Sequence, residues 1–210
     1  KYSIITTSGT SALLLSLIAL GVNKTSNVIL PSCSWISTAN APSLLGCELR
    51  FTDVNPKTGL INLEEIENLI DGNTKAIITV HLNGRYSLNK EILSQCKKLN
   101  ISILEDACQA FASVGPDGNF IGSNSNLACF SFGVSKLVTC GQGGCLVTSS
   151  DKIYQTAKKI KYNGIENYLF PKYEMQGLNF KQSDILSSLL IKELKNYEKY
   201  KKRVTEIYEF

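Results

Sequence analysis

Histidine is nearly missing from this chain, with one in 210 residues, and no two of its cysteines form a Cys-x-x-Cys pair. Zinc and other soft-metal centres need several such ligands at close spacing, so no metal site is expected. The seven cysteines (Cys33, Cys47, Cys96, Cys108, Cys129, Cys140 and Cys145) are odd in number and sit mostly among apolar or small residues, the setting of reduced structural thiols. With no signal-peptide pattern, the expectation is a cytoplasmic location. Long hydrophobic runs are missing too. The best of them, Leu13 to Leu20, is too short to span a bilayer, so no membrane partner is expected. Charge of one sign is not in large excess: 22 Lys and Arg against 18 Asp and Glu leave a formal net charge of +4. Part of that excess lies between Lys192 and Arg203, where lysines alternate with glutamates and tyrosines at helical spacing. Such a pattern is a solvated helix face, so nucleic acid is not an expected partner. Neither a G-x-G-x-x-G fingerprint nor a P-loop lysine occurs, which leaves dinucleotide and ATP sites without support.

What the chain does have is alternation of strand and helix patterns. Tyr2–Ile5, Val28–Leu30, Cys47–Phe51, Lys75–Leu82, Ile101–Leu104, Leu127–Phe132 and Cys145–Thr148 are apolar or β-branched runs of strand length. Between them, Ala12–Leu20, Ser34–Leu45, Ile61–Ile70, Ser87–Leu99 and Asp151–Tyr162 carry helical patterns. The chain from Gln182 to Glu209 is expected to be helical throughout. Alternation of this kind implies right-handed βαβ crossovers and a largely parallel sheet. In such sheets ligands gather beyond the carboxyl ends of the strands. Asp106, His81, Ser131 and Lys136 all follow strands and are expected on one rim. Gly115 to Asn119 carries a hairpin signal, and Asn163 to Gly177 is irregular, a candidate mobile or partner-facing loop.

Four places on that rim could carry chemistry. Thr6-Thr7-Ser8-Gly9-Thr10-Ser11 places hydroxyls and a glycine at a helix start, which suits an anion, although N-capping by Ser8 or Thr10 is the commoner use. Trp35, the one tryptophan, sits among Ser34, Ser37 and Thr38 and could stack on a planar ligand or fill the core. Asp106 is either a helix N-cap or a functional carboxylate. Lys136 lies between a strand end and the glycines Gly141, Gly143 and Gly144. Desolvation at such a place favours the neutral amine, a nucleophile, while the plainer alternative is an ordinary loop lysine. His81 is expected to be a structural strand-end residue near the site.

In order and spacing, Ser8-Gly9-Thr10-Ser11, Glu105-Asp106-Ala107-Cys108-Gln109, Ser131-Phe132 with Lys136, and Gly141-Gln142-Gly143-Gly144 closely resemble the DegT/DnrJ/EryC1/StrS family of sugar aminotransferases. Pro31–Ala41 around Trp35, Val80-His81-Leu82 with Gly84, and Gly177-Leu178-Asn179-Phe180 extend the resemblance from Thr6 to Leu194. It implies an α/β fold, three-layer αβα with a mostly parallel mixed sheet, the large domain of fold-type-I transferases that depend on pyridoxal 5'-phosphate. Residues 1–210 would form that cofactor-binding domain. Relative to the family pattern, chain before the Ser8 motif and a C-terminal small domain are expected to be missing.

The same resemblance implies that Lys136 holds the cofactor covalently and then serves as the general acid/base, and that Asp106 pairs with the ring nitrogen. It implies Trp35 on the ring face, Gln109 beside the ring's 3-oxygen, and Gly9, Thr10, Ser11 and Ser131 at the phosphate. Asn179 would reach the phosphate of a neighbouring subunit, making a homodimer with shared active sites. The implied reaction converts a nucleotide-linked keto-sugar to an amino sugar with glutamate as donor, for polysaccharide or glycoconjugate synthesis. A branch of the family with histidine in place of the lysine dehydrates its substrate, so Lys136 implies transamination. Gln142, Cys108 and Ser87 depart from the usual Glu, Ala and Asp, which bears on subgroup and substrate. The alternative is a truncated homologue without activity that serves as a binding or regulatory partner.

Overall fold

The computed structural model describes residues 1–167 and 169–209. Seven strands, β1 (Tyr2–Thr6), β2 (Asn27–Pro31), β3 (Glu48–Thr52), β4 (Thr74–Val80), β5 (Ser102–Asp106), β6 (Leu127–Ser131) and β7 (Gly144–Thr148), form one sheet in the order β1-β7-β6-β5-β4-β2-β3. Only β7 runs against its neighbours, so the sheet is mixed but mostly parallel. The helices are α1 (Gly9–Ala19), α2 (Ser37–Ser43), α3 (Ile66–Leu69), α4 (Lys90–Lys98), α5 (Asp151–Lys161), α6 (Asp184–Leu194) and α7 (Tyr197–Glu209).

The apolar strands are covered on both faces, and the two-residue period of a strand sorts their side chains. Leu30, Ile78, Val80, Leu104 and Leu146 point to one side, where α1, α2 and α5 supply Leu13, Leu17, Ala41 and Ile160. Ile29, Ile77 and Ile103 point to the other, against Ile66 of α3 and Ile92 and Cys96 of α4. At the β6–β7 end, Leu186, Leu190 and Leu194 of α6 with Tyr197 and Tyr200 of α7 close over Phe132, Val138 and Cys140. The result is the three-layer αβα arrangement. Helix ends follow local chemistry: Ser8, Asn89, Ser150 and Ser183 each cap a helix through a side-chain oxygen.

Several element boundaries differ from the sequence expectation. The helix expected over Ser34–Leu45 begins only at Ser37, which leaves Trp35 in the loop before it. Ile61 is used in a bridge to Val54, and Glu65 accepts from Asp53 N–H and from Asn62, so the helix expected over Ile61–Ile70 shrinks to one turn. The helix expected from Ser87 starts at Lys90. Ser87 spends its N–H and hydroxyl on His81 Nδ1, and Asn89 Oδ1 accepts from Ile92 N–H at 2.8 Å. The long C-terminal helix breaks in two at Lys195–Asn196, where Asn196 N–H bonds Glu193 and its side-chain amide bonds the Lys192 carbonyl. The Gly115–Asn119 hairpin is present, with Gly118 at φ 80°.

Candidate active site

The end of β5 separates two adjacent acids by the alternation of a strand. Glu105 turns to the α3–α4 side of the sheet, and Asp106 to the α1–α2 side. Glu105 is fully buried, takes His81 Nε2 at 2.9 Å, and accepts from the backbone N–H groups of Gly122, Asn124 and Ser125. Burial opposes its charge, but the bonds from His81 and Ser125 outweigh that and hold the carboxyl below the usual carboxylate range. His81 Nδ1 accepts from Ser87 N–H, so the ring proton sits on Nε2 and points at Glu105. His81 therefore ends its strand on the expected edge, but its ring faces away from the ligand side and ties two loops together.

Asp106 is 5% exposed and looks into a cavity of about 330 Å³ on the opposite face. Its Oδ2 accepts from Thr38 Oγ1 at 2.8 Å and its Oδ1 from Cys108 N–H at 3.2 Å. No salt bridge reaches this carboxylate among the described residues. Lys136, in the turn after β6, lines the same cavity. That turn is fixed by Lys136 N–H on the Gly133 carbonyl and by Phe132 N–H on the Gly143 carbonyl. Burial, with the neighbouring Asp106 charge, pushes the Cys108 thiol well above its ordinary value, so it lines the cavity as a neutral group.

The start of α1 forms a third wall. Ser8 satisfies Ser11 N–H through its Oγ and Ala12 N–H through its carbonyl, and helix geometry leaves Gly9 and Thr10 N–H without intrahelical partners. A Cβ on Gly9 would fall 2.9 Å from Ser131 Cβ and from Cys108 Sγ, so a glycine is what lets the helix start this close to the end of β6. Gly144 meets the same demand from the other side, since a Cβ there would collide with the Ser8 backbone. Trp35 is 71% exposed at the mouth of the cavity rather than in the core. Gln109 accepts from Asn83 N–H through Oε1 at 3.0 Å, and with Trp35 and Lys136 it borders a second space of about 400 Å³.

Gly9, Thr10, Trp35, Asp106, Gln109, Ser131 and Lys136 are thus brought together. Ser11 is not. Its hydroxyl is shared with Thr7 and Ser8 behind the helix start, and it lines no part of the cavity. Asn179 is also outside it, exposed in a bridge with Tyr162. Thr38, which fixes Asp106, was not singled out from sequence. The available signal was its place among the small polar residues around Trp35.

The walls of this cavity suit a planar, cationic ring that bears a phosphate. The helix start offers N–H donors to the phosphate, the isolated carboxylate offers a partner to a ring N–H, and Trp35 offers a flat apolar cover. Lys136 offers an amine. Fold and cavity together fit the pyridoxal-phosphate class of proteins. The chain belongs to the DegT/DnrJ/EryC1/StrS aminotransferase family, whose pattern matches residues 1–210.

The GDP-perosamine synthase of Escherichia coli O157:H7 is 30% identical over 207 residues, covering 99% of this chain and 57% of that protein. The 3-oxo-glucose-6-phosphate:glutamate aminotransferase of Bacillus subtilis is 30% identical over 197 residues, 93% of this chain and 44% of that one. Among solved structures, Bacillus subtilis NtdA with bound cofactor PMP superposes with a TM-score of 0.86 at 30% identity, over 94% of this chain and 45% of the other. Helicobacter pylori PseC, an aminotransferase involved in pseudoaminic acid biosynthesis, gives a TM-score of 0.86 at 26% identity, over 94% of this chain and 54% of that one. The chain spans about half the length of the relatives it matches. No helix among the described residues is long and apolar enough to cross a membrane, and no metal-ligating cluster occurs among them.

Proposed function

We propose that this chain is the cofactor-binding domain of an aminotransferase that moves the amino group of glutamate onto a nucleotide-linked keto-sugar. The observation that carries the proposal is the pairing, in one cavity, of the unbridged Asp106 carboxylate with the Lys136 amine. Relatives named for sugars, one of them also for glutamate, support the substrate class.

When bound, pyridoxal phosphate supplies the electron sink that makes a carbon-bound proton removable. The protein does the rest. The N–H groups of Gly9 and Thr10, with Ser131 Oγ, would hold the phosphate at the positive end of α1. Asp106, fixed by Thr38 and Cys108 N–H, would keep a proton on the ring nitrogen. Trp35 would cover the bound ring and exclude water from it, and Gln109 would lie beside it. Lys136 Nζ takes the proton from the donor's α-carbon and later returns one to the sugar carbon that receives nitrogen.

The test is an end-point assay on the complete gene product with glutamate and keto-sugars linked to GDP, UDP or dTDP. Stoichiometric 2-oxoglutarate and amino sugar are expected, and Asp106→Asn should lower the rate by about 10²–10³-fold. Failure of every keto-sugar to accept nitrogen from glutamate would contradict the proposal.

A further inference from the structure

The space around Lys136 continues past the cofactor cavity. Ser135, Lys136 and Leu137 also border a recess of about 470 Å³ whose far wall is Tyr200, Arg203 and Val204 of α7. Spacing of three and four residues puts those side chains on one side of the helix. The helix itself is held against the body of the domain. Lys201 Nζ donates to the Ala112 carbonyl at 2.8 Å, and the Tyr197 ring meets Phe111 edge-on with centroids 6.2 Å apart. The Arg203 side chain is 71% exposed, and its only ionic partner among the described residues is Glu206, one turn along the same helix at 3.5 Å. An exposed pair of that kind holds a guanidinium weakly. An available cation therefore faces a recess that reaches the reactive lysine.

We propose that Arg203 recognises the diphosphate of the nucleotide-linked sugar while the keto carbon lies at Lys136. This rests on the function proposed above. The donor's carboxylate is one bond from the reacting carbon and must stay beside Lys136. A diphosphate stands a whole sugar ring away, and the recess that Lys136 borders is the one Arg203 lines. The planar guanidinium fork suits two phosphate oxygens at once.

Calorimetric titration of the complete gene product with GDP and with UDP, followed by steady-state kinetics, tests the assignment. Arg203→Gln should weaken binding of the preferred nucleoside diphosphate about tenfold or more and raise KM for the keto-sugar, while KM for glutamate stays put. Arg203→Lys should recover part of the loss, and an unshifted melting curve should show that both variants fold. Unchanged GDP and UDP affinity in Arg203→Gln, a loss confined to glutamate, or no uptake of either nucleotide by the wild type would overturn it. Nucleotide binding through Arg203 without amino transfer from glutamate would instead count against the aminotransferase proposal alone.

Discussion

Two neighbouring carboxylates, Glu105 and Asp106, do unrelated work because a strand turns successive side chains to opposite faces. Asp106 meets the cavity with two neutral donors and, among the described residues, no ion pair, while Glu105 is saturated by His81 and three backbone N–H groups. The folded protein binds a proton at Glu105 less readily than the unfolded chain, whose ordinary value is 4.5. Its stabilising contribution is therefore fully present above about pH 4.5 and is lost as the pH falls through the lower folded-state value. Urea unfolding from pH 7 to pH 3 should show a decline on the acid side that Glu105→Gln flattens. Gln at 105 should also cost about 2 kcal/mol or more at neutral pH, since a buried network loses its charged acceptor. An unaltered acid limb in the variant would remove Glu105 from this role.

At the scale of elements, the helix start at Ser8–Ser11 is pressed against the end of β6 through Gly9. Gly9→Ala should destabilise the fold by about 1–3 kcal/mol and lower the affinity for pyridoxal phosphate. Gly72→Ala, at a glycine with open space around it, should do neither. Cofactor titration by absorbance and a thermal melt separate the two, and equal behaviour would refute the close approach.

The strands and their order along the chain were legible in sequence because buried parallel strands are continuous apolar runs. The gathering of the α1 start, Trp35, Asp106 and Lys136 on one rim was legible because each stands at an element end with an unusual residue. The shortened α3 and the break before α7 were not, because side chains such as Glu65 and Asn196 divert backbone groups that a periodicity pattern assigns to a helix. Nor was the turning of His81 away from the site, which depends on which face of β4 its ring meets.

At the scale of the molecule, Leu169, Phe170 and Tyr173 stand more than three-quarters exposed in the excursion that ends at Asn179. We propose that this surface meets a second copy and that Asn179 completes the neighbour's phosphate site. Co-expression of Lys136→Ala with Asn179→Ala subunits should then restore activity that neither variant has alone, because one site in the mixed dimer regains both residues. A mixture as inactive as its parents would place Asn179 within its own subunit or outside the site.

The proposed activity and the shared site rest on Lys136 being the amine that takes up pyridoxal phosphate. Borohydride reduction of the protein loaded with the cofactor, followed by peptide mass spectrometry, measures this directly. The account predicts a pyridoxyl group on Lys136 alone; a protein left unlabelled, or labelled at another lysine, would contradict it.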